Sequence, residues 1–268
     1  MKQNPMKMDL WPSKAPHSNG LSGDEQKDGK KITNISTAQL YIFSPEPENT
    51  TGVAVIIFPG GGFSGVNLES MGFSFAKWLN QIGITAIVVK YRMPMGNPII
   101  ITEDAEQAVK MTLQNAERWG IDCNKTGICG FSIGGNSVSW ICRTLPEEKR
   151  PKFQILFYPV ESMREGLTHN PSRLNFLGKH ATEEIINKFS NELHISDPMP
   201  PTFIALSDDD PVVPPAATAE YYRSLKEKHT KAAMYIFPEG GHGWAFDSDF
   251  SYLELCKELL YKWLKPLV

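Results

Sequence analysis

Seven short apolar runs, spaced along most of the chain and separated by stretches of helical period, constrain this sequence more than any other feature. They are "QLYIFS" (39–44), "VAVIIFP" (53–59), "ITAIVVKY" (84–91), "TGICGF" (126–131), "FQILFYP" (153–159), "TFIALS" (202–207) and "AMYIFP" (233–238). Most are continuously apolar rather than alternating. A strand covered on both faces needs that pattern, and a parallel sheet flanked by helices provides such cover. The intervening segments read as helices at 70–83, 102–120, 133–145, 182–193, 215–228 and 250–264. Thr102 is the expected N-cap of the second helix, with acidic residues in its first turn and Gly120 as its stop. Strand–helix alternation with right-handed crossovers predicts an α/β fold with a doubly wound, mostly parallel sheet.

The rhythm breaks twice. Residues 1–31 are polar and rich in Pro and Gly, and read as an irregular N-terminal arm pinned by Leu10 and Trp11. Residues 32–268 then form a single domain, with 160–200 as a small insertion over the carboxyl edge of the sheet, placed as a partial lid. The 268 residues are 41% hydrophobic with a formal net charge of −3, so no electrostatics favour nucleic acid or an anionic membrane as partner. No apolar stretch approaches the roughly 20 residues of a membrane-spanning helix. Cys123, Cys129, Cys142 and Cys256 show neither C-x-x-C nor zinc-like spacing and read as unpaired thiols. With no leader recognised, the expected compartment is the cytoplasm, or the periplasm or exterior if a leader has been removed.

The chemistry centres on "CGFSIGG" (129–135). Gly-x-Ser-x-Gly between a strand and a helix suits a serine on a strained turn with an exposed Oγ. On the motif alone, Ser132 is either that nucleophile or a serine capping the helix behind it. Three further stretches bear on the choice. "IIFPGGGFSG" (56–65) carries Gly60, Gly61 and Gly62 after a strand, where a backbone free of Cβ atoms can aim N–H groups at a substrate oxygen beside the N–H of Ile133. It lacks the Gly-Lys-Ser/Thr ending of a phosphate loop, and no Gly-x-Gly-x-x-Gly helix start is present. "ALSDDDPVVPP" (205–215) holds three consecutive aspartates; Asp210, extended before Pro211, is favoured as the acid and Asp209 stands second. "IFPEGGHGWAF" (236–246) puts His242 between glycines just after a strand, whereas His17, His169, His180, His194 and His229 read as solvated. Nucleophile, acid and base thus occur in the order Ser132, Asp210, His242.

These stretches, with "LWPSKAP", "AKWLNQIGITAIVVKYRMP", "DAEQAV" and "GGHGW", make the chain resemble the α/β-hydrolase superfamily, and within it small bacterial esterases of the acetyl-xylan-esterase-like type. The resemblance implies oxyanion donors at Gly61 and Gly62 with Ile133, and an acid on Asp210 from Asp-x-x-Val-Pro. Pro59 stands where the lipase-like branch has His, and Ile133 follows the serine where a smaller residue is common. The implied activity is a serine carboxylic-ester hydrolase acting without metal or organic cofactor. Its substrate is a small-molecule or oligosaccharide ester, with acetyl groups on xylan or xylo-oligosaccharides preferred. A general small-molecule carboxylesterase, a peptidase of the same fold and a non-catalytic binding protein are the alternatives. Phe63, Trp244 and Phe246 flank the catalytic stretches, and are either a small apolar wall for the acyl group or ordinary core.

Overall fold

The apolar runs all become neighbours in one eight-stranded sheet in the computed structural model, which describes residues 5–267. The strands are β1 (Met6–Asp9), β4 (Gln39–Phe43), β5 (Ala54–Phe58), β6 (Thr85–Lys90), β7 (Thr126–Phe131), β8 (Gln154–Phe157), β9 (Thr202–Ser207) and β10 (Ala232–Phe237). A separate hairpin holds β2 (Gln26–Asp28) and β3 (Lys31–Thr33). The order across the sheet is β1-β4-β6-β5-β7-β8-β9-β10. The first two pairings are antiparallel and the rest parallel. Every residue of β5 through β9 is buried, as continuous apolarity requires. Each Val or Ile so placed contributes about 1.5–3 kcal/mol of transfer free energy.

Register decides where the loops emerge. Phe58 pairs with Gly130, Phe131 with Phe157, Phe157 with Ala205 and Ser207 with Phe237. The carboxyl ends of β5, β7, β8, β9 and β10 are therefore nearly level. The glycine loop, the serine turn, the aspartates and the histidine loop all leave the same edge, where open α/β sheets hold their sites. The helices are α1 (Ser74–Gln81), α2 (Ile99–Gln114), α3 (Ile133–Thr144), α4 (Asn170–Leu177), α5 (Glu183–Lys188), α6 (Pro215–Glu227) and α7 (Leu253–Leu264).

Several expectations change. The segment 1–31 is not irregular throughout: Met6–Asp9 pairs with Gln39–Ile42 as the edge strand. Its residues are largely exposed, so no alternating apolar pattern marks it; backbone pairing holds it there, with Gln39 Nε2 donating to Asp9 Oδ1 at 2.9 Å. Leu10 is fully buried, and Trp11 Nε1 donates to Asp104 Oδ1 at 2.8 Å. Asp104 in turn holds Arg92 through Nε and Nη2 and through the Arg92 N–H. Helix α2 starts at Ile99, so Thr102 lies within it and its hydroxyl donates to the Ile99 carbonyl. Pro98, already at helical φ and ψ, initiates the helix earlier. Helix α1 is shorter than 70–83 because a π-helical turn, Leu68–Phe73, precedes it. The insertion at 160–200 carries two helices, α4 and α5, rather than one.

Candidate active site

Strand β7 delivers the chain to Ser132 and α3 leaves from Ile133. Ser132 stands at φ 52° and ψ −124°, a conformation that costs an L-residue on the order of 1–3 kcal/mol. Its backbone is held on both sides: the N–H donates to the Phe157 carbonyl at 2.9 Å, and the carbonyl accepts from Gly135 and Val160 at 2.9 and 3.0 Å. The turn closes only because its flanks lack Cβ atoms. A methyl on Gly134 would stand 2.1 Å from the Phe58 carbonyl oxygen, and one on Gly130 2.5 Å from the Cα of Gly135. The Ser132 hydroxyl makes no capping bond to α3, so the capping alternative does not describe this serine.

That hydroxyl instead lies 2.9 Å from His242 Nε2, and His242 Nδ1 lies 2.7 Å from Asp210 Oδ2. With the neutral imidazole protonated at Nδ1, Ser132 donates to Nε2 and Nδ1–H donates to Asp210. The second oxygen of Asp210 accepts the N–H groups of Val212 and Val213 at 2.8 and 2.9 Å. Burial alone would raise this carboxyl. The hydrogen bond and electrostatic pull of His242, with the two amides, outweigh it and hold the group below its ordinary value. Asp209 turns elsewhere and accepts N–H groups of Gly241 at 2.8 Å and Gly240 at 3.2 Å, which braces the loop carrying His242. Below that loop lies Tyr158, whose ring meets His242 edge-on at 4.9 Å and whose hydroxyl donates to the Trp244 carbonyl.

A cavity of about 180 Å³ opens over Ser132, lined by Lys31, Gly61, Gly62, Asn67, Met71, His169, Val212 and His242. Gly61 takes φ 146°, with its missing Cβ 2.1 Å from the Gly65 carbonyl oxygen, so only glycine turns the chain here. The loop is clamped by Tyr91, donating to the Pro59 carbonyl at 2.7 Å, and by Asn175, donating to the Gly62 carbonyl at 2.9 Å. Ile133 is the first residue of α3, so its N–H has no partner inside the helix.

The expected apolar wall is not where Phe63, Trp244 and Phe246 sit. Phe63 is buried between Tyr91 and Phe176, and Phe246 packs on Phe75, Trp78 and Phe157. Trp244 stacks on Phe250 at 4.3 Å, and its Nε1 donates to Ser207 Oγ. Sequence proximity to the site placed them near it, but burying such large rings is worth more in the core than in a small polar cleft. In their place the cavity presents Met71, Asn67, Lys31 and His169. His169, expected in solvent, is half-buried and bonded through Nδ1 to Ser172 Oγ at 2.8 Å. No local pattern in the chain marked these four, or Tyr158; only Tyr158, at the end of an apolar run, sat beside a strand terminus.

The profile of the alpha/beta hydrolase fold matches residues 55–246. Among curated proteins, the chain is 36% identical over 251 residues to an acetylxylan esterase of Xylanibacter ruminicola, covering 91% of this chain and 52% of that one. It is 30% identical over 210 residues to the endo-1,4-beta-xylanase B of Butyrivibrio fibrisolvens, covering 73% and 33%. The chain thus spans about half or less of these relatives' length. Among solved structures, an acetyl ester-xyloside bifunctional hydrolase from Caldicellulosiruptor lactoaceticus superposes with a TM-score of 0.82 at 27% identity, covering 98% of this chain and 97% of that one. An esterase from Thermogutta terrifontis, at 22% identity, TM-score 0.71 and coverages of 92% and 94%, shares the fold. On the matched profile, the sheet order and the level strand ends that carry the site, the chain belongs to the alpha/beta hydrolase fold family.

Proposed function

We propose that this protein is a serine esterase that removes short acyl groups, acetyl above all, from the hydroxyls of carbohydrate such as acetylated xylan or xylo-oligosaccharides. The observation that carries the reading is the unbroken chain from Ser132 Oγ through His242 to Asp210, at 2.9 and 2.7 Å, beneath a small cavity. In the reaction, His242 Nε2 takes the Ser132 proton as Oγ bonds to the ester carbonyl carbon. The oxyanion is held by N–H groups of Ile133 and of Gly61 and Gly62, and Asp210 keeps the imidazole in the required tautomer. His242 then returns the proton to the departing alkoxide as the C–O bond breaks. Water attacks the acyl-serine by the same route, releasing the acid and restoring Ser132. The sequence of steps needs no metal or organic cofactor.

The size of the cavity and the buried Met71 in its wall support short acyl groups. The likeness to an acetylxylan esterase and to an acetyl ester-xyloside hydrolase supports a carbohydrate alcohol. The insertion at 160–200 serves as a lid-like wall, clamped to the glycine loop by Asn175. The test is a hydrolysis panel of p-nitrophenyl acetate, a long-chain p-nitrophenyl ester, acetylated xylan and a peptide amide. Ser132→Ala is expected to lose on the order of 10⁴–10⁶-fold in kcat on the acetyl substrates. Equal activity of variant and wild type sinks the nucleophile, and preference for the long-chain ester or the amide sinks the acetyl reading.

A further inference from the structure

The cavity over Ser132 is not symmetrical. On one side Met71, only 7% exposed, lies between the two loops that flank the serine. A methyl on Gly60 would be 3.0 Å from both Met71 Sδ and Ser132 Cβ, and one on Gly243 would be 3.7 Å from Met71 Cε. There the buried Met71 side chain gives the cavity an apolar wall. The other end holds Lys31, whose side chain is 36% exposed and whose Nζ donates to Ser64 Oγ at 3.2 Å, together with half-buried His169. That end is open and rich in polar hydrogen. An ester has one small partner, the acyl group, and one that must continue into solvent when it is part of a sugar. Only the open end admits the second.

His169 is built for a fixed task at that end. Its Nδ1 is tied to Ser172 Oγ, and Ser172 is fully buried at the start of α4, so the ring orientation is set by the fold. A methyl on Gly62 would stand 4.0 Å from His169 Cε1, so the ring overhangs the glycine loop. Among the described residues nothing bonds its Nε2. Burial first, and then the nearby His242, favour the neutral ring. A neutral imidazole that lines the cavity with one nitrogen satisfied and the other unbonded can exchange a hydrogen bond with a hydroxyl, whichever tautomer Ser172 imposes.

We infer that His169 is a specificity residue for the alcohol half of the ester, hydrogen-bonding through Nε2 to a hydroxyl of a polyhydroxylated alcohol next to the ester oxygen. This rests on the esterase reading above. The test compares wild type, His169→Ala and His169→Gln on an acetylated methyl xyloside and on p-nitrophenyl acetate, whose alcohol half offers no neighbouring hydroxyl. His169→Ala lowers kcat/KM on the sugar acetate about 10–100-fold, the value of one buried hydrogen bond, and changes the aryl acetate by less than about 3-fold. His169→Gln, which keeps a donor and an acceptor, recovers part of the loss. Equal losses on both substrates, or no loss on either, overturn the inference while the esterase reading stands. A wild type that cleaves the aryl acetate but no sugar acetate overturns the inference and the carbohydrate half of that reading. Ser132→Ala retaining wild-type rates overturns the esterase reading itself.

Discussion

Glu161 offers a sharp test of how the ground beneath the serine turn is built. It is fully buried, with Oε1 accepting from Ser139 Oγ at 2.9 Å and Oε2 from Asn191 Nδ2 at 3.0 Å. Its backbone carbonyl accepts from the Asn191 N–H, and its predecessor Val160 donates to the Ser132 carbonyl. Burial outweighs both side-chain bonds, and with Glu192 nearby and Arg143 opposing, the carboxyl is pushed up from 4.5 to about 8. The folded protein therefore holds a proton that the unfolded chain releases between those values, so stability falls as pH rises through that window. Integrating the linkage from pH 5 to pH 8 gives a loss of about 3–4 kcal/mol from this one group. Glu161→Gln removes that titration and keeps both bonds, its Oε1 accepting from Asn191 and its Nε2 donating to Ser139 Oγ. Urea unfolding followed by tryptophan fluorescence at pH 5, 6.5 and 8 measures it. The variant should gain on wild type as pH rises, by about 3–4 kcal/mol across the range, while kcat on an acetyl ester stays within about 2-fold. Parallel stability curves for the two proteins would refute the reasoning.

Other perturbations follow from the same geometry. Asp210→Asn leaves an amide opposite His242 Nδ1 and should cut kcat on the order of 10³–10⁴-fold, whereas Asp209→Asn, which only loosens the grip on Gly240 and Gly241, should cost less than about 10-fold; steady-state kinetics decide, and a larger loss at Asp209 reverses the assignment. Because the Asp210 carboxyl is held below its ordinary value, the stability it contributes is present above the normal carboxylate range and is lost only as pH falls through the lowered value, which an acid titration of wild type against Asp210→Asn reads. Met71→Ala cuts back the apolar wall of the cavity, and a chain-length series of p-nitrophenyl esters should shift its optimum from acetate to longer acyl groups; an unchanged profile places the acyl group elsewhere. Arg92→Met strands the fully buried Asp104 and should cost about 3–5 kcal/mol in urea unfolding, with the double change Arg92→Met/Asp104→Leu costing less.

Much of the architecture was legible in the chain. Continuous apolar runs admit few alternatives to a covered parallel sheet, and all seven became strands within a residue or two of the expected ends. Ser132 and His242 were legible because glycine is needed for local reasons, so a polar side chain between glycines shows in a one-dimensional pattern. Strand β1 was not, because an exposed edge strand is held by backbone bonds that carry no side-chain pattern. The two aspartates show the limit most clearly. Asp209 and Asp210 have the same chemistry and adjacent places, and only the turn into Val212 and Val213 sends one to the imidazole and the other to the loop bearing it.

The chain by itself determined the sheet, the strained serine turn, the glycine loop and the order Ser132, Asp210, His242, since each depends on residues within a few positions of one another. The tertiary structure decided the rest of the site. It put Phe63, Trp244 and Phe246 into the core, brought Lys31 from the hairpin and His169 from the insertion to the cavity, and set Met71 in its wall. These residues lie tens of positions from Ser132 in sequence, and what joins them is the level register of the strands. Distance through space across a sheet edge is set by strand pairing and crossover, and no local pattern of residues encodes it.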